Sequence, residues 1–244
     1  MNQAITEDWM CGALPREFQW DAKNRLTHVI EGANETEFEY DGFDRRVRIV
    51  ERVGGVVQDE TTYLWADGVI LQRRAADAET VERDYYWSGF SEGTSDYFYT
   101  RDHLGSVREV IASDGTTIES RYNYDIWGNV TRIAGTGAES DFRYTGHFYY
   151  EGSGLHLAQY RAYDSELGRW LSRDPAGFID GPNLYAYVLN NPVLYYDPTG
   201  LSFYDWSAGF GDSISFGATE WIRKKLGVDH MVDKCSDGGC PNSC

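Results

Sequence analysis

Lysine is nearly missing from most of this chain. Of four lysines set against eighteen arginines, only Lys23 precedes residue 202. Arginine stacks on aromatic faces and forks onto carboxylates, which lysine does poorly, so the bias points to an ion-paired, aromatic lattice. Cysteine is scarce. Cys11 stands alone and Cys235, Cys240 and Cys244 crowd the end, so no disulfide framework spans the body. No apolar run approaches the ~18–20 residues of a membrane span. The opening MNQAITEDWMCGALPREF lacks the basic start and apolar stretch of a signal peptide. Positive charge is short as well: 22 basic against 39 acidic residues leave a formal charge of −17. That excludes a general binder of nucleic acid or anionic membrane, because bare phosphates are repelled. Helical periodicity is almost absent before residue 182.

What is present is aromatic. Eighteen Tyr, eleven Phe and eight Trp make 15% of the 244 residues, a composition that favours strands. They recur in a pattern with a period of roughly 20 residues, typical of stacked supersecondary units. Trp20-Asp21 precedes Arg25-Leu26, and Tyr40-Asp41 precedes Arg45-Arg46-Val47. Tyr124-Asp125 precedes Gly128-Asn129-Val130, and Tyr163-Asp164 precedes Gly168-Arg169-Trp170. Aromatics alternating with polar residues, as in Tyr122-Asn123-Tyr124, place one aromatic face on a strand. The aspartate opens a turn by accepting backbone N–H groups, and Gly, Asn or Arg closes it. The unit is a β-hairpin, and the predicted fold is mainly β: a wound stack of hairpins.

Two Asp-Pro-x-Gly tetrads stand near the end of the body, Asp174-Pro175-Ala176-Gly177 and Asp197-Pro198-Thr199-Gly200. Each reads first as a tight turn, with Asp bonding backbone, Pro fixing φ and Gly taking positive φ. Between them Pro182-Asn183 and Pro192 bracket LYAYVLNN, which predicts a short helix over about 183–190. A second helix is predicted from about Phe216 to Leu226, stopped by Gly227. His103, His147 and His156 have no partner spacing of a catalytic triad and read as packed or surface histidines. His230, Cys235, Cys240 and Cys244 lack the tight Cys-x-x-Cys knuckle, so no metal and no cofactor is assigned.

The ordered strings YFYTRDHLGSVREV (97–110), YNYDIWGNV (122–130), RYTG (143–146), YRAYDSELGRWLSRDPAG (160–177), NLYAYVLNNPV (183–193) and YDPTGL (196–201) resemble the Rhs repeat-associated core. The upstream aromatic-Asp units resemble YD repeats, as in the C-subunits of insecticidal toxin complexes. The resemblance implies three regions: YD-repeat hairpins over 1–96, the core over 97–201, and a short variable tail over 202–244. It implies a partial β-shell with a short helical core plug and a mostly helical tail.

It also implies a role. Family cores plug the shell and cleave themselves after the Leu of the DPxGL string, leaving a downstream toxin enclosed. Carried over by motif, the aspartyl pair is Asp174 and Asp197, the supporting arginine is Arg173, and the scissile bond is Leu201–Ser202. Two close carboxylates do not both ionise easily, so one keeps a proton while the other activates water. Which aspartate holds the proton stays open, since such a pair titrates jointly. Implied partners are an upstream YD-repeat shell segment or shell-forming protein, and an immunity protein if a toxin is present. No nucleic acid and no membrane span are expected. The expected location is the bacterial cytoplasm before export, with delivery that needs no cleavable signal peptide.

The tail departs from the family pattern, since only 43 residues follow Leu201. Phe203, Trp206, Phe210 and Ile214 recur at helical spacing, but the segment carries four basic and six acidic residues, so packing against the shell is expected over membrane binding. The competing reading is a non-enzymatic YD-repeat scaffold, or an orphan shell fragment, that binds a partner shell or a surface glycan.

Overall fold

The computed structural model describes residues 5–7, 16–178 and 181–201. Thirteen antiparallel strands follow one another in chain order to form a single sheet. They are β1 (Ile5–Glu7), β2 (Arg16–Trp20), β3 (Leu26–Glu31), β4 (Asn34–Tyr40), β5 (Arg46–Val53), β6 (Val56–Ala66), β7 (Val69–Ala75), β8 (Val81–Tyr86), β9 (Gly89–Glu92), β10 (Ser95–Arg101), β11 (Val107–Ala112), β12 (Ile118–Tyr124) and β13 (Val130–Ala134). β10 crosses residues 96 and 97, so the sheet runs unbroken through that point. A second, four-stranded sheet follows: β14 (Phe148–Tyr150), β15 (Leu155–Leu157), β16 (Ala162–Asp164) and β17 (Arg169–Trp170). Among the described residues no helix is long and apolar enough to cross a membrane.

The repeated turn forms as its residues dictate. Asp21 Oδ1 accepts the N–H groups of Lys23 (2.9 Å) and Arg25 (3.0 Å), while Arg25 Nε donates to Asp21 Oδ2 at 2.7 Å. Asp41 does the same for Phe43 and Arg45, Asp102 for Leu104 and Ser106, and Asp125 for Trp127 and Asn129. The third residue after each aspartate adopts positive φ: Asn24, Asp44, Gly105 and Gly128. The tyrosine before the aspartate closes the unit across strands. Tyr40 donates its hydroxyl to Leu26 O (2.8 Å) and Tyr124 donates to Val107 O (2.6 Å).

Strand alternation turns one face of the long sheet inward, and an aromatic ladder joins it to the second sheet. Phe38 on β4, Tyr63 on β6 and Tyr85 on β8 meet Tyr150, Phe148 and Phe142 edge-on, at 5.6, 5.5 and 5.1 Å between ring centroids. Polar ties follow the same line. Tyr150 donates to Glu51 Oε1 (2.5 Å) and is paired with Thr36 Oγ1 (3.0 Å). Arg83 Nη1 donates to Glu139 O and Asp141 Oδ2 at 2.9 and 3.0 Å.

The helix expected over 183–190 does not form. The segment has only a 3-10 turn at Val188–Asn190, with Val188, Leu189 and Asn190 all at positive φ. Its backbone is used by the neighbouring strand instead: Trp170 N–H donates to Tyr185 O (3.0 Å), Asp174 N–H donates to Leu184 O (3.0 Å), and Ala186 bridges Arg169. Tertiary pairing overrides the local helix signals. The region expected to be a helical plug is therefore a small sheet with irregular turns. The expected tail helix, Ser202 and the His230/Cys235/Cys240/Cys244 set lie outside the described residues.

Candidate active site

Both Asp-Pro-x-Gly tetrads form the turns their residues require. Asp174 Oδ1 accepts Ala176 N–H at 2.8 Å, and Asp197 Oδ1 accepts the N–H groups of Thr199 (3.2 Å), Gly200 (2.8 Å) and Leu201 (3.3 Å). Gly177 and Gly200 take φ of 78° and 81°. The second carboxylate oxygen of each aspartate turns to the same guanidinium. Arg161 Nη2 lies 2.9 Å from Asp174 Oδ2 and 3.2 Å from Asp197 Oδ2. The three side chains are almost wholly enclosed, at 1% exposure for Arg161, 5% for Asp174 and 2% for Asp197.

Arg161 is held as tightly as it holds. It stacks over the Trp170 ring at 4.4 Å, donates Nε to Gly200 O, and reaches Leu184 O through Nη1 at 3.5 Å. Arg173, the arginine expected beside the pair, is exposed and donates Nε to Tyr185 Oη at 3.3 Å. The arginine between the carboxylates comes from the strand lead-in Tyr160-Arg161-Ala162-Tyr163, where alternation sets it on the face of Tyr163. That alternation was the available sequence signal for Arg161.

An aromatic cluster carries the site: Tyr144, Tyr163, Trp170, Tyr187, Ala158 and Val188 are all buried. Tyr163 and Tyr187 lie 4.4 Å apart between centroids, and Trp170 meets Tyr187 edge-on at 5.5 Å. From here a polar chain reaches the second tetrad. His147 Nε2 lies 2.7 Å from Asp197 O, Thr145 Oγ1 lies 3.2 Å from His147 Nδ1, and Tyr187 Oη lies 3.3 Å from Thr145 Oγ1. A carbonyl only accepts, so Nε2 carries the proton, and neutral Nδ1 accepts from Thr145. Burial pushes the His147 imidazole below its ordinary value, which keeps it in that neutral form. Of the two readings the sequence leaves for His147, packed or surface, the structure gives the packed one. The imidazole also fixes the backbone at Asp197.

Burial raises the Asp174 carboxyl above its ordinary value; Arg161 and the Ala176 N–H oppose the rise, and Asp197 adds to it. Residues 199–201 are pinned one at a time. Thr199 O accepts Tyr160 N–H at 3.1 Å, Gly200 O accepts Arg161 Nε, and Leu201 N–H rests on Asp197. The arrangement brings two buried carboxyl groups together on Arg161 and holds residues 199–201 beside them.

Comparison with known proteins agrees with this architecture. The Teneurin YD-shell family model matches residues 90–197. The tRNA3(Ser)-specific nuclease WapA of Bacillus spizizenii is 34% identical over 198 residues, covering 75% of this chain and 8% of that protein. Toxin protein Tse5 of Pseudomonas aeruginosa is 41% identical over 104 residues, covering 43% of this chain and 8% of that protein. The crystal structure of TcdB2-TccC3 without its hypervariable C-terminal region superposes with a TM-score of 0.61 at 25% identity, over 76% of this chain and 10% of that one. The chain thus spans a tenth or less of the length of these relatives. With the Asp-led hairpin turns, the long meander and the small core sheet, these matches show that residues 90–197 belong to the YD-shell family and that the chain is related to Rhs-type toxin proteins.

Proposed function

We propose that this chain is the core end of a Rhs-type shell in a toxin system, and that it cleaves its own Leu201–Ser202 bond once by an aspartyl mechanism. The observation that carries the reading is the meeting of Asp174 and Asp197 on Arg161 Nη2, with Leu201 N–H held by Asp197 itself. Burial raises the Asp174 carboxyl, and in this reading Asp174 is the acid that donates to the Leu201 carbonyl oxygen. Asp197 takes the proton from the attacking water. Arg161 offsets the charge of the pair and, through Gly200 O, fixes the backbone beside the bond. Proximity is enforced by the fold, so modest machinery suffices for one turnover.

The partner in this reading is a further YD-repeat sheet. β1 and β13 stand at the two ends of the strand order, and a strand edge presents unpaired N–H and C=O groups to another strand. The released segment is residues 202–244. Export as part of a larger toxin particle, and an immunity protein for any toxin carried, belong to the same proposal.

One observation favours a non-enzymatic alternative. Every oxygen of the Asp174 and Asp197 carboxylates already has a turn N–H or Arg161 to accept, as a purely structural latch requires. The mass of the purified chain separates the two readings. Cleavage gives two fragments, one beginning at Ser202, and Asp174→Asn and Asp197→Asn each leave the chain whole. A latch gives one intact mass in every case.

A further inference from the structure

In the turns led by Asp21, Asp41 and Asp125 the fourth residue bonds back to its own aspartate. Arg25 Nε, Arg45 Nε and Asn129 Nδ2 each donate to the second carboxylate oxygen at 2.7 Å. The turn led by Asp102, between β10 and β11, uses its fourth residue differently. Ser106 is buried, and its N–H donates to Asp102 Oδ1 at 2.9 Å. Its hydroxyl accepts the Thr145 N–H at 3.0 Å. Next to it Val107 N–H donates to Arg143 O at 3.1 Å, so the 143–147 turn rests on the long sheet at two points. Thr145 is held there at φ of 49°, a conformation that a β-branched residue resists. Strain of this kind persists only where the surroundings impose it, and it gathers at functional sites.

From Thr145 the hydrogen bonding has one direction. Asp197 O only accepts, so His147 Nε2 donates to it and Nδ1 is bare. Thr145 Oγ1 donates to that bare nitrogen. A hydroxyl has one proton, so the Tyr187 hydroxyl donates to Thr145 Oγ1. Thr145, His147 and Tyr187 are all buried, where water does not compete and each proton position fixes the next. The Asp197 main chain also steadies the Tyr187 hydroxyl, so the series begins and ends on one residue.

The two aspartates of the pair are held by different means. Asp174 N–H donates to Leu184 O, and Asp174 O accepts Gly177 N–H, main chain on main chain. Asp197 lies in no strand, and among the described residues its carbonyl takes no main-chain donor. The His147 imidazole supplies the donor that a buried carbonyl requires. We propose that Ser106, Thr145, His147 and Tyr187 are positioning residues, a relay through which the Asp102 turn of the long sheet sets the Asp197 backbone and so aims its carboxylate at Arg161 and Asp174. The consequence for cleavage rests on the proposed reaction, whereas the relay itself does not.

Two readouts keep the relay and the reaction apart. The first uses the full chain kept whole by Asp174→Asn. Nitrogen NMR should show His147 with Nε2 protonated and Nδ1 bare. Thr145→Val removes the hydroxyl at nearly constant shape. It should shift the Nδ1 resonance and speed amide exchange at Thr199, Gly200 and Leu201, whose N–H groups rest on Asp197 Oδ1. Thr145→Ser should restore both. The second readout follows the intact mass of chains with both aspartates during cell-free synthesis. Thr145→Val and Tyr187→Phe should slow the Ser202 fragment by about 10–100-fold, the scale expected when a reacting group is misplaced by up to 1 Å. Ser106→Ala should slow it less, and Thr145→Ser should cleave near the parental rate. Tyr63→Leu, which weakens the contact between the sheets away from the relay, controls for lost stability.

A proton on Nδ1 in the parent chain, or amides at 199–201 that exchange equally in Thr145→Val and its parent, overturns the relay whether or not the chain cleaves. Parental cleavage in Thr145→Val or Tyr187→Phe overturns its part in the reaction. So does equal slowing by Tyr63→Leu at the same loss of melting temperature. A wild-type chain of unchanged mass is the separate failure of the cleavage reading, and the first readout still decides the relay.

Discussion

Asp174 and Asp197 lie 23 positions apart in sequence and meet through one nitrogen, Arg161 Nη2, at 2.9 and 3.2 Å. The guanidinium is the keystone of the core end, because it also holds Gly200 O and stacks on Trp170.

Removing Arg161 should therefore be costly. Arg161→Met leaves two enclosed carboxylates facing each other, and losing one partner of a buried ion pair typically costs ~3–5 kcal/mol. Arg173→Ala, at an exposed position, should change stability by less than about 0.5 kcal/mol. Urea unfolding of the two variants checks the contrast; equal effects would contradict the placement of Arg161.

The contrast also shows what the sequence could convey. The Asp-led turns were legible because the aspartate, its N–H partners and the positive-φ residue are all local. The two tetrads were legible as turns for the same reason. Arg161 was not, because Arg173 is the neighbour of Asp174 in sequence while Arg161 is its neighbour in space. The helix over 183–190 was misread for a related reason. Leu184, Tyr187 and Val188 have helical spacing between two prolines, yet Leu184, Tyr185 and Ala186 give their backbone to Asp174, Trp170 and Arg169.

Acid should destabilise the core through its histidines. His156 is buried, with Nε2 3.1 Å from Gly128 O, and burial lowers it to about 3, with His147 and Arg143 adding to the effect. Its folded value lies below the ordinary 6.5. The stability it contributes is present above pH 6.5 and is lost as pH falls from there toward about 3. Asp174, whose carboxyl is raised, works in the opposite sense, so the comparison must be made by variant. His156→Gln should show a shallower loss of stability between pH 7 and pH 5 than the parent chain. Equal slopes would contradict the assignment.

Gly200 has φ of 81° and would set a Cβ 3.1 Å from Arg161 N. Gly200→Ala should cost ~1–3 kcal/mol, from the backbone conformation alone. It should also slow the appearance of a Ser202 fragment, because it displaces the residue that Arg161 and Asp197 hold. A variant with parental stability and parental cleavage would count against the pinning of residues 199–201.

The aromatic ladder should carry much of the adhesion between the sheets. Phe148 meets Tyr63 edge-on and lies under Arg46. Phe148→Ala should cost ~3–5 kcal/mol, the range for a truncated core aromatic. A double-mutant cycle of Phe148→Leu with Tyr63→Leu should return ~0.5–1.5 kcal/mol of coupling. Additive effects would show that the two sheets are held by other contacts.

The central claim is tested most directly by the intact mass and N-terminal sequence of the products from the unmodified chain. Asp-Pro bonds also break in acid, so the position of the new terminus matters as much as the number of fragments. The account predicts a fragment beginning at Ser202, absent from both Asp174→Asn and Asp197→Asn and unaffected by control substitutions at the turn aspartates Asp125 and Asp164. A chain that stays whole, or a Ser202 fragment that persists in either Asn variant, would contradict it.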